Sequence, residues 1–259
     1  CSAEGFADLL NDVKQNAEAL NYALIIGAHG CGWTYAEDWN NYPYKARPSF
    51  GSSSPQEYSF SGINFGSDPN KPHTRFFGSV NLKDNAIDVA TLAEGIKESG
   101  LKMQYILFDA CYMGNVETAY ELKDVTNFFI ASSSEIIQYG LPYKSLWNYL
   151  NSPTPSYSSI VSTSINFYKT AKTPYLNIAA IDCRELDGLA NIMKEINSKY
   201  TLSENIDPET IQRLDAFSPN LFYDMEAYVD SLYPSGYLLD QFKNQLKLTV
   251  KAAGHTDYA

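Results

Sequence analysis

Four short, uninterrupted apolar runs are spread along the chain, at residues 22–27, 105–108, 128–131 and 176–181, with helical periodicity between them. A run that is apolar at every position has no face to offer water, so it reads as a strand covered on both sides. The segments at 6–20, 88–99, 114–122, 143–150, 158–170 and 185–200 space their apolar residues at three and four, and 237–253 also reads as helix. Repeated strand–helix alternation predicts an α/β architecture: a three-layer sandwich with a mostly parallel central sheet flanked by helices. One large domain over residues 1–259 is expected, since α/β folds of this length often form one unit. Between 34 and 79 the periodicity disappears and Gly, Ser, Pro, Asn and aromatic residues take over, which predicts a long loop insertion.

In open sheets of this kind, ligands bind beyond the carboxyl ends of the strands. His29 follows the first run, Cys111 follows the second, and residues 132–135 follow the third. Three segments distant in sequence are therefore expected to converge at one sheet edge. A cysteine and a histidine brought together there can act as a nucleophile and its acid/base partner: the imidazole takes the thiol proton and later protonates the leaving amine. The structural alternative is a small buried thiol and an unrelated histidine.

Two local sequences favour the catalytic reading. His29-Gly30-Cys31-Gly32-Trp33 and Asp109-Ala110-Cys111-Tyr112-Met113-Gly114 resemble the H-G-x-G-W and D-A-C-x-M-G signatures of clostripain-like cysteine peptidases. Ala131 to Glu135 and Gly140-Leu141-Pro142-Tyr143 resemble that family's A-S-x-E and G-x-P-Y stretches, so the likeness runs in order from Phe6 to about Leu150. The family belongs with caspases, gingipains and legumains, in which the histidine closes one strand, the cysteine closes the next, and no third triad member is obligatory.

The resemblance implies Cys111 as nucleophile, His29 as general acid/base, and the backbone N–H groups of Gly30 and Cys111 as the oxyanion hole. It also implies a basic residue, Arg or Lys, before the cleaved bond. Asp109 has the strand parity to reach that pocket, with Glu135 a second wall candidate and Trp33 a further substrate contact. A carboxylate attracts Arg through a paired fork and Lys as a point charge. The alternative for Asp109 is a carboxylate that only satisfies loop backbone.

The interval from His29 to Cys111 is longer than the family usually shows, and the family's earlier sheet strands and usual end are not found in this sequence. Other segments of the same precursor are thus expected partners, beside protein or peptide substrates. The family commonly matures by cutting itself after a basic residue, which makes Cys1 a candidate new end; a lipid-anchored cysteine is the alternative. A terminal-nucleophile mechanism at Cys1 is disfavoured because a helix follows it. An amidotransferase is disfavoured because Cys111 lacks the glycine-flanked elbow.

Composition closes off other classes. The formal net charge is -11, with 30 acidic against 19 basic residues, which argues against nucleic acid and favours cationic partners. No run is long enough for a transmembrane helix. The four cysteines are scattered, the three histidines are distant from one another, and no EF-hand pattern occurs, so no cofactor or structural metal is expected and calcium is not indicated. The resemblance implies a secreted or bacterial cell-envelope location. The rival from another class is a glycan- or peptide-binding module that uses the 20 tyrosines and keeps a vestigial Cys/His pair.

Overall fold

A computed structural model describes residues 2–30, 32, 76–79, 85–203, 206–207, 210–215 and 222–259. In chain order the elements are α1 (Ala3–Asn16), β1 (Leu24–Gly27), β2 (His29–Gly30), β3 (Phe76–Gly78), β4 (Ala86–Asp88), α2 (Val89–Glu98), β5 (Met103–Asp109), α3 (Val116–Leu122), β6 (Thr126–Ala131), α4 (Tyr143–Leu150), α5 (Tyr157–Lys169), β7 (Asn177–Asp182), α6 (Leu186–Lys199), α7 (Met225–Ser231), α8 (Gly236–Thr249) and β8 (Val250–His255).

The main sheet has the order β1-β5-β6-β7-β8. β1, β5 and β6 are mutually parallel, whereas β6–β7 and β7–β8 are antiparallel, so the sheet is mixed and its parallel part is the half that carries the strand ends of interest. Every residue of β5 except Gln104 and Asp109 is buried, as a doubly covered central strand requires. Ile106, Phe108, Phe129 and Ala131 pack into a core with α1, α2, α3, α6, α7 and α8, while Tyr105, Leu107 and Ile130 pack with α4 and α5 on the other face. Alternate β5 residues thus serve opposite layers, and the expected three-layer caspase-like sandwich is the fold.

Helix starts follow capping chemistry. The Asp88 carboxylate accepts the Thr91 N–H at 2.6 Å and the Asn115 side-chain oxygen accepts the Thr118 N–H at 2.8 Å, satisfying donors that α2 and α3 cannot pair internally.

Three expectations need correction. The first helix ends at Asn16 rather than Leu20, where the chain turns outward and leaves Leu20 fully exposed. Periodicity over 237–253 overruns the helix: α8 stops at Thr249, and residues 250–255 form β8, because pairing with β7 satisfies their backbone. Most of the predicted 34–79 loop lies outside the described residues, and its described end is strand rather than loop. Phe76–Gly78 forms β3, which joins β2 and β4 in a second, three-stranded sheet.

Candidate active site

Cys111 follows β5 directly. Its Sγ lies 3.3 Å from the Ile136 backbone N–H, which donates to it, and 3.4 Å from the Ile136 carbonyl oxygen, to which the thiol donates. The loop after β6 is pinned to the cysteine loop at two further points, as Tyr112 N–H donates to the Ser134 carbonyl at 2.9 Å and Gly114 N–H to the Ser132 carbonyl at 2.7 Å. Gly114 permits that approach, because a Cβ there would stand 2.6–2.7 Å from the Ser132–Ser133 peptide. The half-buried Glu135 is carried to the same edge beside Ile136.

The histidine arrives on the smaller sheet. β1 runs parallel to β5 with Gly27 opposite Asp109, and Ala28 N–H reaches the Asp109 carbonyl at 3.4 Å. β2 then diverges to pair with β3, His29 opposite Gly78 and Gly30 opposite Phe77. His29 is exposed and Gly30 is buried. Gly30 lies so close to the nucleophile's segment that a Cβ would collide with the Cys111 carbonyl oxygen and stand 2.8 Å from Met113 Cγ and 3.0 Å from Ala110 Cβ. Side-chain volume at position 30 would therefore force the histidine strand away from Cys111.

Asp109 points to the opposite face from Phe108, toward α4. Its Oδ2 accepts the Leu141 N–H at 3.0 Å and the Tyr143 hydroxyl at 2.8 Å. Among the described residues Oδ1 accepts no hydrogen bond. Burial first, and then the adjacent Asp109 charge, push the Tyr143 phenol well above its ordinary range, so it stays a donor. Tyr168 donates from α5 to the Gly140 carbonyl at 2.9 Å and fixes the loop that supplies both donors. Gly140 takes φ +61°, and a Cβ there would lie 2.7 Å from Asp109 Oδ2.

Tyr112, next to Cys111, adopts φ +58°, a left-handed conformation that costs a non-glycine residue about 1–2 kcal/mol. The contacts that hold it there include the bond to Ser134, the Asn115 side-chain N–H donated to its carbonyl at 2.9 Å, and a parallel stack on Phe222 with centroids 4.9 Å apart. Phe222 also abuts the histidine loop, for a Cβ at Gly32, which has φ +60°, would lie 2.5 Å from its Cζ.

The structure thus brings the segments of His29, Gly30, Asp109, Cys111 and Glu135 to one edge, while Trp33 lies outside the described residues. Ile136, Tyr143 and Phe222 are contributors that the sequence reading did not single out. For Tyr143 the Gly140–Tyr143 stretch was a signal; for Phe222 there was none. Among the described residues no cluster of His, Cys, Asp or Glu is arranged to hold a metal ion, and no helix is long and apolar enough to cross a membrane.

The three-layer sandwich, with the cysteine and histidine segments at neighbouring strand ends, has the fold of caspase-like cysteine peptidases. The chain belongs to the clostripain family of such peptidases: the family model matches residues 64–252, a span that contains Asp109, Cys111 and Glu135. The chain is similar to a secreted C11 cysteine protease of Bacteroides thetaiotaomicron called iotapain, with 39% identity, a TM-score of 0.83, and coverage of 99% of this chain and 65% of that one. A clostripain of the same organism, crystallised with the peptide inhibitor BTN-VLTK-AOMK, is 45% identical over 70% of this chain and 80% of its own, with a TM-score of 0.67. An inactive zymogen C11 protease from Parabacteroides distasonis shares the fold at 21% identity, with a TM-score of 0.72 over 98% of this chain and 62% of that one. The chain therefore spans less than two thirds of the length of iotapain. No curated protein matches it.

Proposed function

We propose that this chain is the catalytic part of a secreted or cell-envelope endopeptidase that cleaves after Lys or Arg, with Cys111 and His29 as a dyad. The observation that carries the reading is the seating of Gly30 against the Cys111 carbonyl, which sets the histidine strand beside the nucleophile with no room for a side chain between them.

His29 takes the proton from Cys111 Sγ, and the thiolate adds to the scissile carbonyl carbon. The resulting oxyanion is received by backbone N–H groups of Gly30 and Cys111, each such donor being worth about 2.7–4 kcal/mol. The intermediate collapses as protonated His29 gives its proton to the leaving amine, which leaves a thioester on Cys111. Water, losing a proton to His29, adds to the thioester; the new carboxylic acid departs and the thiol is restored. The Ile136 N–H stabilises the thiolate on Sγ before it attacks and as it is released from the acyl group.

Specificity for a basic side chain rests on Asp109, whose Oδ2 is anchored and whose Oδ1 receives the incoming cation. Support comes from the inhibitor of the 45% identical relative, whose peptide portion ends in lysine. Glu135 is a second wall of the same pocket, and Trp33 is a further substrate contact in this reading. Activation by self-cleavage after a basic residue belongs to the same reading; if that cut falls within the 34–79 loop, Lys45-Ala46 and Arg75-Phe76 are better bonds than Arg47-Pro48 or Lys71-Pro72, since the proline restricts the residue before it.

The test is a lysine-ending acyloxymethyl ketone followed by peptide mapping. Modification at Cys111, together with loss of Lys and Arg peptide hydrolysis in Cys111→Ala and His29→Ala, is expected. Full activity of Cys111→Ala overturns the assignment.

A further inference from the structure

The described residues 211–215 and 222–224 bring Phe222 to the candidate site. Their backbone is braced at both sides of Phe222: Leu214 N–H donates to the Phe222 carbonyl at 2.9 Å, the Phe222 N–H donates to Asp215 Oδ2 at 2.6 Å, and Arg213 bridges Tyr223 antiparallel. Phe222 belongs to neither main core. It forms a small separate cluster with the buried Tyr112, against which Cys111 and Leu214 pack.

The ring touches two partners that matter. One face stacks on Tyr112 with an interplanar angle of 8°, and its Cζ and Cε1 lie where a side chain on Gly32 would begin, 2.5 and 2.6 Å from that Cβ position. A Cβ on Gly32 would also lie 2.9 Å from the Tyr112 carbonyl oxygen. The histidine loop and the cysteine loop thus share Phe222 as a common wall. Both carry a left-handed residue at the contact, Gly32 at φ +60° and Tyr112 at φ +58°. For Tyr112 that conformation persists only because its surroundings over-determine it.

We propose that Phe222 is a positioning residue that sets the spacing of His29 and Cys111, acting through Gly32 and Tyr112 without touching substrate. The inference rests on the Cys111–His29 reading. A ring that wedges two loops of a packed interior has one seating, so its removal lets Tyr112 relax toward ordinary φ and carries Cys111 with it.

The experiment measures kcat and KM of Phe222→Ala and Phe222→Leu on a lysine-ending peptide anilide, with kcat divided by the active sites titrated with the lysine-ending ketone. A misplacement near 1 Å costs about 100-fold, so kcat per titrated site should fall at least about tenfold in Phe222→Ala, with KM within about threefold. Phe222→Leu, which keeps apolar volume but loses the flat face, should recover part of that loss. A residue that merely stabilised the fold would lower the titrated fraction and leave kcat per site unchanged. Because Phe222 acts through Tyr112, its effect should shrink in a Tyr112→Ala background.

A fall in kcat per site of less than about tenfold in folded Phe222→Ala, or a loss carried by KM, overturns the proposal. If Phe222→Ala does not fold, Phe222→Leu decides: kcat per site within about twofold of the parent overturns it. Cys111→Ala is run in parallel: hydrolysis that survives it defeats the dyad reading itself, an outcome separate from any result at Phe222.

Discussion

Replacing Gly30 by alanine tests the geometry of the candidate site most directly. The added methyl would strike the Cys111 carbonyl oxygen and lie 2.8 Å from Met113 Cγ and 3.0 Å from Ala110 Cβ. Carbon atoms prefer about 3.5–4.0 Å, so the two carbon contacts fall short by roughly 0.5–1 Å. Met113 can rotate away, but the carbonyl belongs to the nucleophile's own backbone and can yield only if the end of β5 and β2 separate. Overpacking of this kind destabilises a fold by about 1–3 kcal/mol, equivalent to about 2–4 °C in Tm per kcal/mol for a chain of this size. Activity should suffer far more, because a displacement near 1 Å between reacting groups costs about 100-fold. Gly27→Ala is the control: it lies three residues earlier, and its Cβ would meet nothing within 4 Å. With kcat/KM on a lysine-ending anilide and Tm both measured, Gly30→Ala should lose about two orders of magnitude in rate, and Gly27→Ala should lose little. A folded Gly30→Ala enzyme within about threefold of the parent would refute the argument.

Asp109→Asn should lower kcat/KM on Lys and Arg peptides by an amount equivalent to about 2–5 kcal/mol and spare neutral ones; an equal loss on both would mark Asp109 as structural. Tyr143→Phe removes the 2.8 Å hydroxyl donor to Asp109 Oδ2, a charge-assisted bond worth about 1.5–3 kcal/mol, and should narrow the ratio of basic to neutral cleavage. Burial raises the Asp182 carboxyl, but the Arg184 fork, the Arg184 N–H and Lys251 outweigh it and hold it below its ordinary 3.8. A lowered carboxyl stabilises fully above its unfolded value and loses that contribution as pH falls through the folded one. Asp182→Asn should therefore be less stable at neutral pH by urea unfolding, with the gap closing below about pH 4; a gap independent of pH would contradict the assignment. Burial pushes the Cys183 thiol up to about 12, so iodoacetamide at neutral pH should label Cys111 and leave Cys183 untouched in folded protein.

The strands were legible where the chemistry is simplest. β5 is buried on both faces, and its apolar run announces it; β6, β7 and the helices α4 and α5 follow the same logic to within a residue or two. Direction was not legible: an apolar run such as 176–181 looks the same whether its neighbour runs parallel or antiparallel, and β7 proved antiparallel. β8 was hidden because residues 250–255 continue the spacing of α8, and only pairing with β7 makes them a strand. Positions of Cys111, His29 and Asp109 could be read because each follows or ends a strand. What holds them could not. The Ile136 amide on Sγ is a backbone group with no side-chain signature, and Phe222 meets Tyr112 only through a contact between residues 110 positions apart in the chain.

The pairing of β2 with β3 has a consequence for the connection between them. His29 and Gly30 face Gly78 and Phe77, so the stretch that leaves after Gly32 returns to the neighbouring rungs of the same ladder. The outgoing end is held by Gly32 under Phe222, and the returning end by buried Phe77, whose ring meets Phe108 edge-on at 5.1 Å. A scission anywhere between these anchors leaves two stubs, each fastened to the body of the enzyme by its own contacts. The β2–β3 ladder thus fixes the place of His29 in the fold by pairing rather than by the length of the connection that follows it.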